Sequence, residues 1–253
     1  GGAEHAVLHL LYARFWHKIL FDLGEVSTPE PVGRLFHQGM ITSFAFKRAD
    51  GSLVPVDEVR ESDDGAAVEI ATGETVERIV AKMSKSLRNV INPDDVIADY
   101  GADTFRLYEM AMGPLDASKP WNTRDIVGVH RFLQRAWRLA VDESTGELRL
   151  RTEADADVER ALHRTVAKVG DDIERLAFNT AISQMMVFTN EFVNATPRPI
   201  EALRILLPLL SPFAPHLSEE LWSRLGFAGL ASQQPWPLHD EALLVENEID
   251  LVV

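Results

Sequence analysis

The sequence predicts a multi-domain chain in which an α/β region carrying a small β insertion is followed by an all-α region. Three observations support this division. Up to residue 80 the apolar pattern passes from helical spacing to a buried-strand run and then to short alternating segments. From Trp121 onward apolar residues recur at helical spacing. Between the two regions lies Lys82-Met83-Ser84-Lys85-Ser86, a pair of cations three residues apart with no core-forming periodicity.

The 253 residues are 46% hydrophobic, enough for a real core in one large or two modest domains. Lysine and arginine total 25 against 39 acidic residues, a formal charge of −14, which argues against a protein that coats nucleic acid indiscriminately but leaves room for a local basic face. There is no cysteine, which removes disulfides, thiolate metal sites and cysteine nucleophiles together. No apolar run approaches the roughly 18 residues of a membrane span, and no basic-then-apolar leader is present. The expected location is the cytoplasm, away from membranes, and the expected state a monomer.

Residues 4–23 place Val7, Leu8, Leu11, Phe15 and Ile19 at helical spacing, with Gly24 as a stop. Two glycines precede this helix, so a nucleotide can approach the backbone, and the positive helix end favours negative groups. His5 and His9 lie four apart; no Glu follows the first as a zincin motif requires, so a polar stripe at the helix edge is the plainer reading and no metal is assigned. A metallohydrolase built on those histidines remains as a third alternative, and it predicts bound zinc. Pro29-Glu30-Pro31 breaks the chain, a short helical turn is expected over residues 32–36, and Gln38-Gly39-Met40-Ile41 reads as a buried strand.

Residues 44–80 read as consecutive hairpins turning at Asp50-Gly51 and Asp64-Gly65. The lysine loop follows, and its position between elements is where functional groups concentrate; a solvated Lys/Ser linker is the plain alternative. Asn92 with Pro93 opens a helix ending near Gly101, and Asp103 is placed to cap the next one, which Gly113-Pro114 terminates. Asn122 with Asp125 resembles a capping box for a helix with Ile126, Val129, Leu133, Trp137 and Ala140 on its apolar stripe. Arg131, Arg135 and Arg138 fall on another face of it, either a phosphate-binding ridge or a solvated surface. Four further helices follow, the last starting at Pro215 and capped by Gly226, and Pro208 is expected to kink the one before it. Short loops between helices with one apolar face each make an antiparallel bundle the economical arrangement.

Several strings resemble a known family. Lys82-Met83-Ser84-Lys85-Ser86 matches the second signature of class I aminoacyl-tRNA synthetases, and Gly1-Gly2-Ala3-Glu4-His5-Ala6-Val7-Leu8-His9-Leu10-Leu11-Tyr12-Ala13-Arg14-Phe15 is similar to a string of bacterial leucyl-tRNA synthetases. Tyr100-Gly101-Ala102-Asp103-Thr104-Phe105-Arg106-Leu107 is similar to the same family, and residues 209–222 resemble the anticodon-binding bundle of the leucine, isoleucine, valine and methionine enzymes.

The resemblance implies the C-terminal half of a Rossmann-like nucleotide-binding domain (residues 1–43), the β insertion (44–78), a signature-loop and stem-contact region (79–120), a helical anticodon-binding domain (121–245) and the start of a further domain (246–253). It implies Lys82 and Lys85 as catalytic cations. Gly2, Glu4, His5, His9, Met40, Ile41, Met83, Ser84, Lys85 and Ser86 would surround ATP or the adenylate. ATP with Mg2+ would be the substrate, tRNA(Leu) the partner contacted by Arg131, Arg135 and Arg138, and leucine would bind through a first half not in this chain. The other class I signature, His-x-Gly-His, is absent, as are the amino-acid pocket and editing domain. The expectation is a piece of a longer enzyme, inactive alone; the alternative is a tRNA-binding module without catalysis of its own.

Overall fold

The computed structural model describes residues 2–62, 65–151, 156–193 and 198–244. The expected strand-like start of a further domain at 246–253 lies outside the described residues, as do Gly1 and Asp64. The chain is helix-rich with a small sheet component and divides into two compact units. The first comprises Gly1–Ile91 and Leu115–Trp121, the second Asn92–Pro114 and Asn122–Val253. The boundary therefore runs through the 79–120 segment.

In the first unit the N-terminal helix is not uniform. A 3-10 turn over Ala3–His5 passes into π-helical turns over Ala6–Leu11 and then into helix α1, Tyr12–Asp22. None of its residues is buried from Ala3 on, and Leu8 is 86% exposed and Val7 70%. The helical periodicity is there, but no element of the unit covers it. The helical turn expected over 32–36 does not form. That stretch follows Glu30, whose carboxylate is clamped by Arg14 at 2.7 Å and Lys18 at 2.9 Å, and its apolar residues Val32 and Leu35 stay exposed with nothing to fold against. Those two cations hold the Glu30 carboxyl down at about 2.

The sheet is built on strand β1, Ile41–Lys47. Strand β2, Leu53–Val54, joins it by the Asp50-Gly51 turn, with Gly51 at φ 83°, the left-handed region that glycine enters without steric cost. Strands β3, Val59–Glu61, and β4, Ala67–Glu69, form a separate hairpin. Strand β5, Glu77–Lys82, runs antiparallel to β1 from Lys47↔Glu77 to Thr42↔Lys82. Phe46, Val54, Ala67 and Val76 form the core of this region, with Phe44, Val56 and Val59 packed on it. Arg48 grips the buried Glu69 carboxylate with two guanidinium nitrogens, and Thr72 donates to it at 2.9 Å.

The second unit opens with α2, Pro93–Tyr100, capped as expected: the Asn92 side chain accepts from the Asp94 N–H. Helix α3, Ala102–Ala111, has no side-chain cap, which overturns the local role expected of Asp103. Its carboxylate turns instead to a helix more than a hundred residues away. Returning to the first unit, strand β6, Lys119–Pro120, pairs parallel to β1. Helix α4 spans Ile126–Ala140. Asn122 does not cap it, since its side-chain oxygen accepts from Arg124 N while its amide meets Asp125 at 3.0 Å, an Asx turn one step before the helix.

A short parallel pair joins β7, Leu150–Arg151, to β8, Arg198–Pro199. Helices α5 (Ala156–Glu174), α6 (Phe178–Phe192), α7 (Ile200–Leu210) and α8 (Pro215–Arg224) follow. Pro208 sits inside α7 and is buried; Pro215 occupies the first turn of α8, where the missing N–H costs nothing. Leu139, Leu162, Phe188, Phe192, Leu203, Leu206, Leu207, Leu221 and Trp222 meet in one core. At the head of α8, Asp103 accepts from Leu217 N at 2.7 Å, His216 N at 3.3 Å and His216 Nδ1 at 2.8 Å.

Candidate functional site: the lysine loop and its strand

Strand β5 ends on Lys82, and the chain leaves the sheet there. Met83 and Ser84 are half-buried, whereas Lys82, Lys85 and Ser86 are exposed. Ser84 caps a 3-10 turn, Lys85–Leu87: its Oγ accepts from Leu87 N at 3.2 Å and lies 3.1 Å from Ser86 Oγ. Arg88 closes the turn in the left-handed region at φ 52° and folds the chain back. The following Asn89 is completely buried. Its Oδ1 accepts from Ser84 N at 2.9 Å and its Nδ2 donates to Lys82 O at 3.4 Å. The Arg88 carbonyl in turn accepts from Val56 N, tying the loop's tail to the β insertion.

The consequence is a loop with a fixed backbone and free charges. Among the described residues neither Lys82 nor Lys85 has a carboxylate within ion-pair distance, in a chain with a large acidic excess. Two compact ammonium groups on flexible stems are thereby left open to an external anion.

The other predicted residues of this site lie on the same unit. Thr42 pairs with Lys82, so Met40 and Ile41 immediately precede the strand position beside the loop. Gly2 N donates to Gln38 Oε1 at 3.2 Å, which brings the N-terminal glycine to the residues leading into β1. Gly2 is buried; Glu4, His5 and His9 are exposed. The His5 and His9 rings stand edge-on with centroids 6.5 Å apart, and among the described residues no group of three or more His, Asp or Glu is arranged to hold a metal.

Sequence reasoning missed the groups that hold this site together. Met40 N donates to Ser118 Oγ at 3.1 Å, Lys119 N to Met40 O at 3.0 Å and Trp121 N to Thr42 O at 2.8 Å, so β6 is bound to the lower half of β1. A Cβ on Gly39 would sit 2.1 Å from the Ala117 carbonyl, which is why the chain needs glycine where these two segments cross. Burial pushes the Lys119 ammonium down from its ordinary pKa, with Asp116 opposing the shift. Nothing in the pattern of residues 115–121 marks them as partners of 39–42.

The three arginines lie on α4 in the second unit. Arg131 is exposed, Arg135 is half-buried with its Nε buried and without a hydrogen-bond partner, and Arg138 donates to Glu143 at 2.7 Å. Helical spacing thus hides unequal charge: Arg138 is already compensated.

Comparison with known proteins shows which family the chain resembles along its length. Residues 70–118 match the family model described as tRNA synthetases class I (I, L, M and V), and residues 155–253 match the anticodon-binding domain of tRNA ligase. Leucine-tRNA ligase of Treponema pallidum subsp. pallidum is 51% identical over 271 aligned residues, covering 100% of this chain and 31% of that protein. The chain is a leucine-tRNA ligase homologue along its whole length. The ligase of Borrelia hermsii is 49% identical, with 100% of this chain and 30% of that protein covered; the chain therefore spans about a third of the relatives' length. Among solved structures, the ternary complex of Agrobacterium radiobacter K84 agnB2 LeuRS with tRNA and LeuAMS is similar at a TM-score of 0.68 and 31% identity, covering 97% of this chain and 29% of that one. No helix among the described residues is long and apolar enough to cross a membrane.

Proposed function

We propose that this chain is the part of a leucine-tRNA ligase that supplies the phosphate side of the activation site and the tRNA-contacting helices. The observation that carries the reading is the lysine loop: two exposed, uncompensated cations on a pinned backbone at the end of β5. Residues 1–43 are then the second half of a Rossmann-like nucleotide fold, 44–78 its β insertion, 79–120 the signature-loop and stem-contact region and 121–245 an antiparallel helical anticodon-binding domain, with 246–253 leading into the next. The open apolar residues of the first helix are what a first half would cover.

In the parent reaction the leucine carboxylate attacks the α-phosphate of ATP in line and pyrophosphate leaves; a ribose hydroxyl of the terminal adenosine of tRNA(Leu) then attacks the leucyl carbonyl, and AMP leaves as the ester forms. Phosphoryl chemistry of this kind asks the protein for positioning and for stabilisation of charge on the leaving group. Lys82 and Lys85 answer the second need, with Lys85 nearer the leaving phosphates. Ser84 and Ser86 order the loop, Met83 anchors it, Met40 and Ile41 border the base, and Gly2, Glu4, His5 and His9 lie around the ribose and adenylate. Mg2+ enters carried on the triphosphate rather than in a protein cage. Translation in the cytoplasm is the setting.

The test joins this chain, in cis or in trans, to the missing N-terminal portion and measures ATP–pyrophosphate exchange with leucine, isoleucine, valine and methionine. Leucine-dependent exchange is expected from the joined protein and none from the chain alone. Exchange with another of the four instead would overturn the substrate, and exchange by the isolated chain would overturn the division of labour.

The second unit has its own reading as a tRNA-binding surface, favoured by Arg131 and Arg135, which have no carboxylate partner among the described residues. Arg131→Ala is expected to weaken tRNA binding and to lower the slope of log affinity against log salt by about 1. An unchanged slope in a salt titration removes Arg131 from the interface.

A further inference from the structure

We propose that Asn89 is a positioning residue for activation, setting the direction of Lys85 by holding the start of the lysine loop, on either side of Met83, from the residue that follows the loop's turn; the inference rests on the ligase reading above. Lys82 is the last residue of β5, so its carbonyl lies at the final position of the ladder with β1 and the Ser84 N–H lies beyond it. Backbone groups without partners in a buried place are costly. The Asn89 carboxamide is itself peptide-like, with one acceptor and one donor edge, and it satisfies both groups at once, at 2.9 Å and 3.4 Å.

The effect passes from one residue to the next. With its N–H held, Ser84 presents Oγ to Leu87 N and so starts the 3-10 turn whose first residue is Lys85. Arg88, in the left-handed region, returns the chain so that Asn89 comes underneath, fully buried. Asn89 reaches the loop only from below, while the lysines are exposed, so it acts on the reaction through Lys85 and not by contact with substrate. A side chain lacking either edge releases one of the two backbone groups that flank Met83, just before Lys85. Misplacement of a charge by about 1 Å costs heavily in a step that depends on positioning.

The test uses the full-length enzyme that carries this segment, as wild type, Asn89→Ala and Asn89→Asp. Leucine-dependent ATP–pyrophosphate exchange gives kcat and the two KM values, and thermal melting reports folding. Asn89→Ala is expected to lower kcat about tenfold and to raise the ATP KM while leaving the leucine KM in place. Asn89→Asp keeps an acceptor for Ser84 N and loses the donor to Lys82 O, so it should fall between the other two. A kcat equal to wild type in both variants overturns the proposal. So does a loss that strikes the leucine KM as much as the ATP KM and tracks the fall in melting temperature, because a merely structural role would behave that way. If Asn89→Ala does not fold, Asn89→Asp decides alone: full activity refutes the bridge, and a selective kcat loss supports it. A wild type that does not exchange with leucine defeats the parent reading and takes this proposal with it.

Discussion

Lys85→Ala in the full-length enzyme is expected to slow adenylate formation about 100-fold, close to 2.7 kcal/mol at 1.36 kcal/mol per decade, with little change in leucine affinity. The reason is differential charge. On the function proposed above, leucine is held by another part of the enzyme, whereas the leaving pyrophosphate gains negative charge only as the bond to the α-phosphorus breaks. An ammonium aimed at that group therefore contributes more in the transition state than in the ground state. Lys85 is suited to this because it is exposed at the start of the 3-10 turn and no neighbouring carboxylate draws on its charge. Lys85→Arg retains the charge but replaces a compact ammonium by a wide planar fork, and it should recover only part of the rate. Rapid-quench measurement of leucyl-adenylate under single-turnover conditions decides the matter. A Lys85→Ala burst as fast as wild type would remove Lys85 from the phosphate site.

How much of this was legible beforehand depends on how local each signal is. Helices α4 to α8 were readable because their apolar residues repeat at helical spacing and their ends carry Pro215, Gly226 and similar punctuation. The lysine loop was readable as a string. Its support was not: Asn89 is one polar residue after a loop, and only the fold reveals that it is buried between Lys82 and Ser84. The arginines show the same limit in another form. Arg131 and Arg138 share a face by spacing, yet Glu143 neutralises one and leaves the other open. The first helix shows it in a third: its periodicity correctly announces an amphipathic helix, but burial depends on what lies opposite, and in this unit nothing does.

Asp103 is the clearest case, and it carries the second large expected effect, on stability. The residue type and its place just after Gly101 spell an N-cap for α3, but α3 goes uncapped and the carboxylate serves α8. Both oxygens are used: Oδ2 accepts from Leu217 N, and Oδ1 from the His216 backbone and ring. Two of the orphan donors of the α8 N-terminus are thus satisfied by an anion placed where the helix dipole favours negative charge. Asp103 is 9% exposed, so water cannot readily replace it. Asp103→Ala leaves both N–H groups unpaired and is expected to cost about 2 kcal/mol, the range for charged hydrogen bonds and lost caps. For a domain of this size that lowers Tm by roughly 4–8 °C. Asp103→Asn keeps one acceptor and loses the charge, so its cost should be about half. The bond joins α3 to α8, elements 113 residues apart, so the loss should appear as earlier melting of the helical unit and faster amide exchange at the head of α8. An Asp103→Ala melting curve superimposable on wild type would show that the long-range cap contributes nothing to the stability of the helical unit.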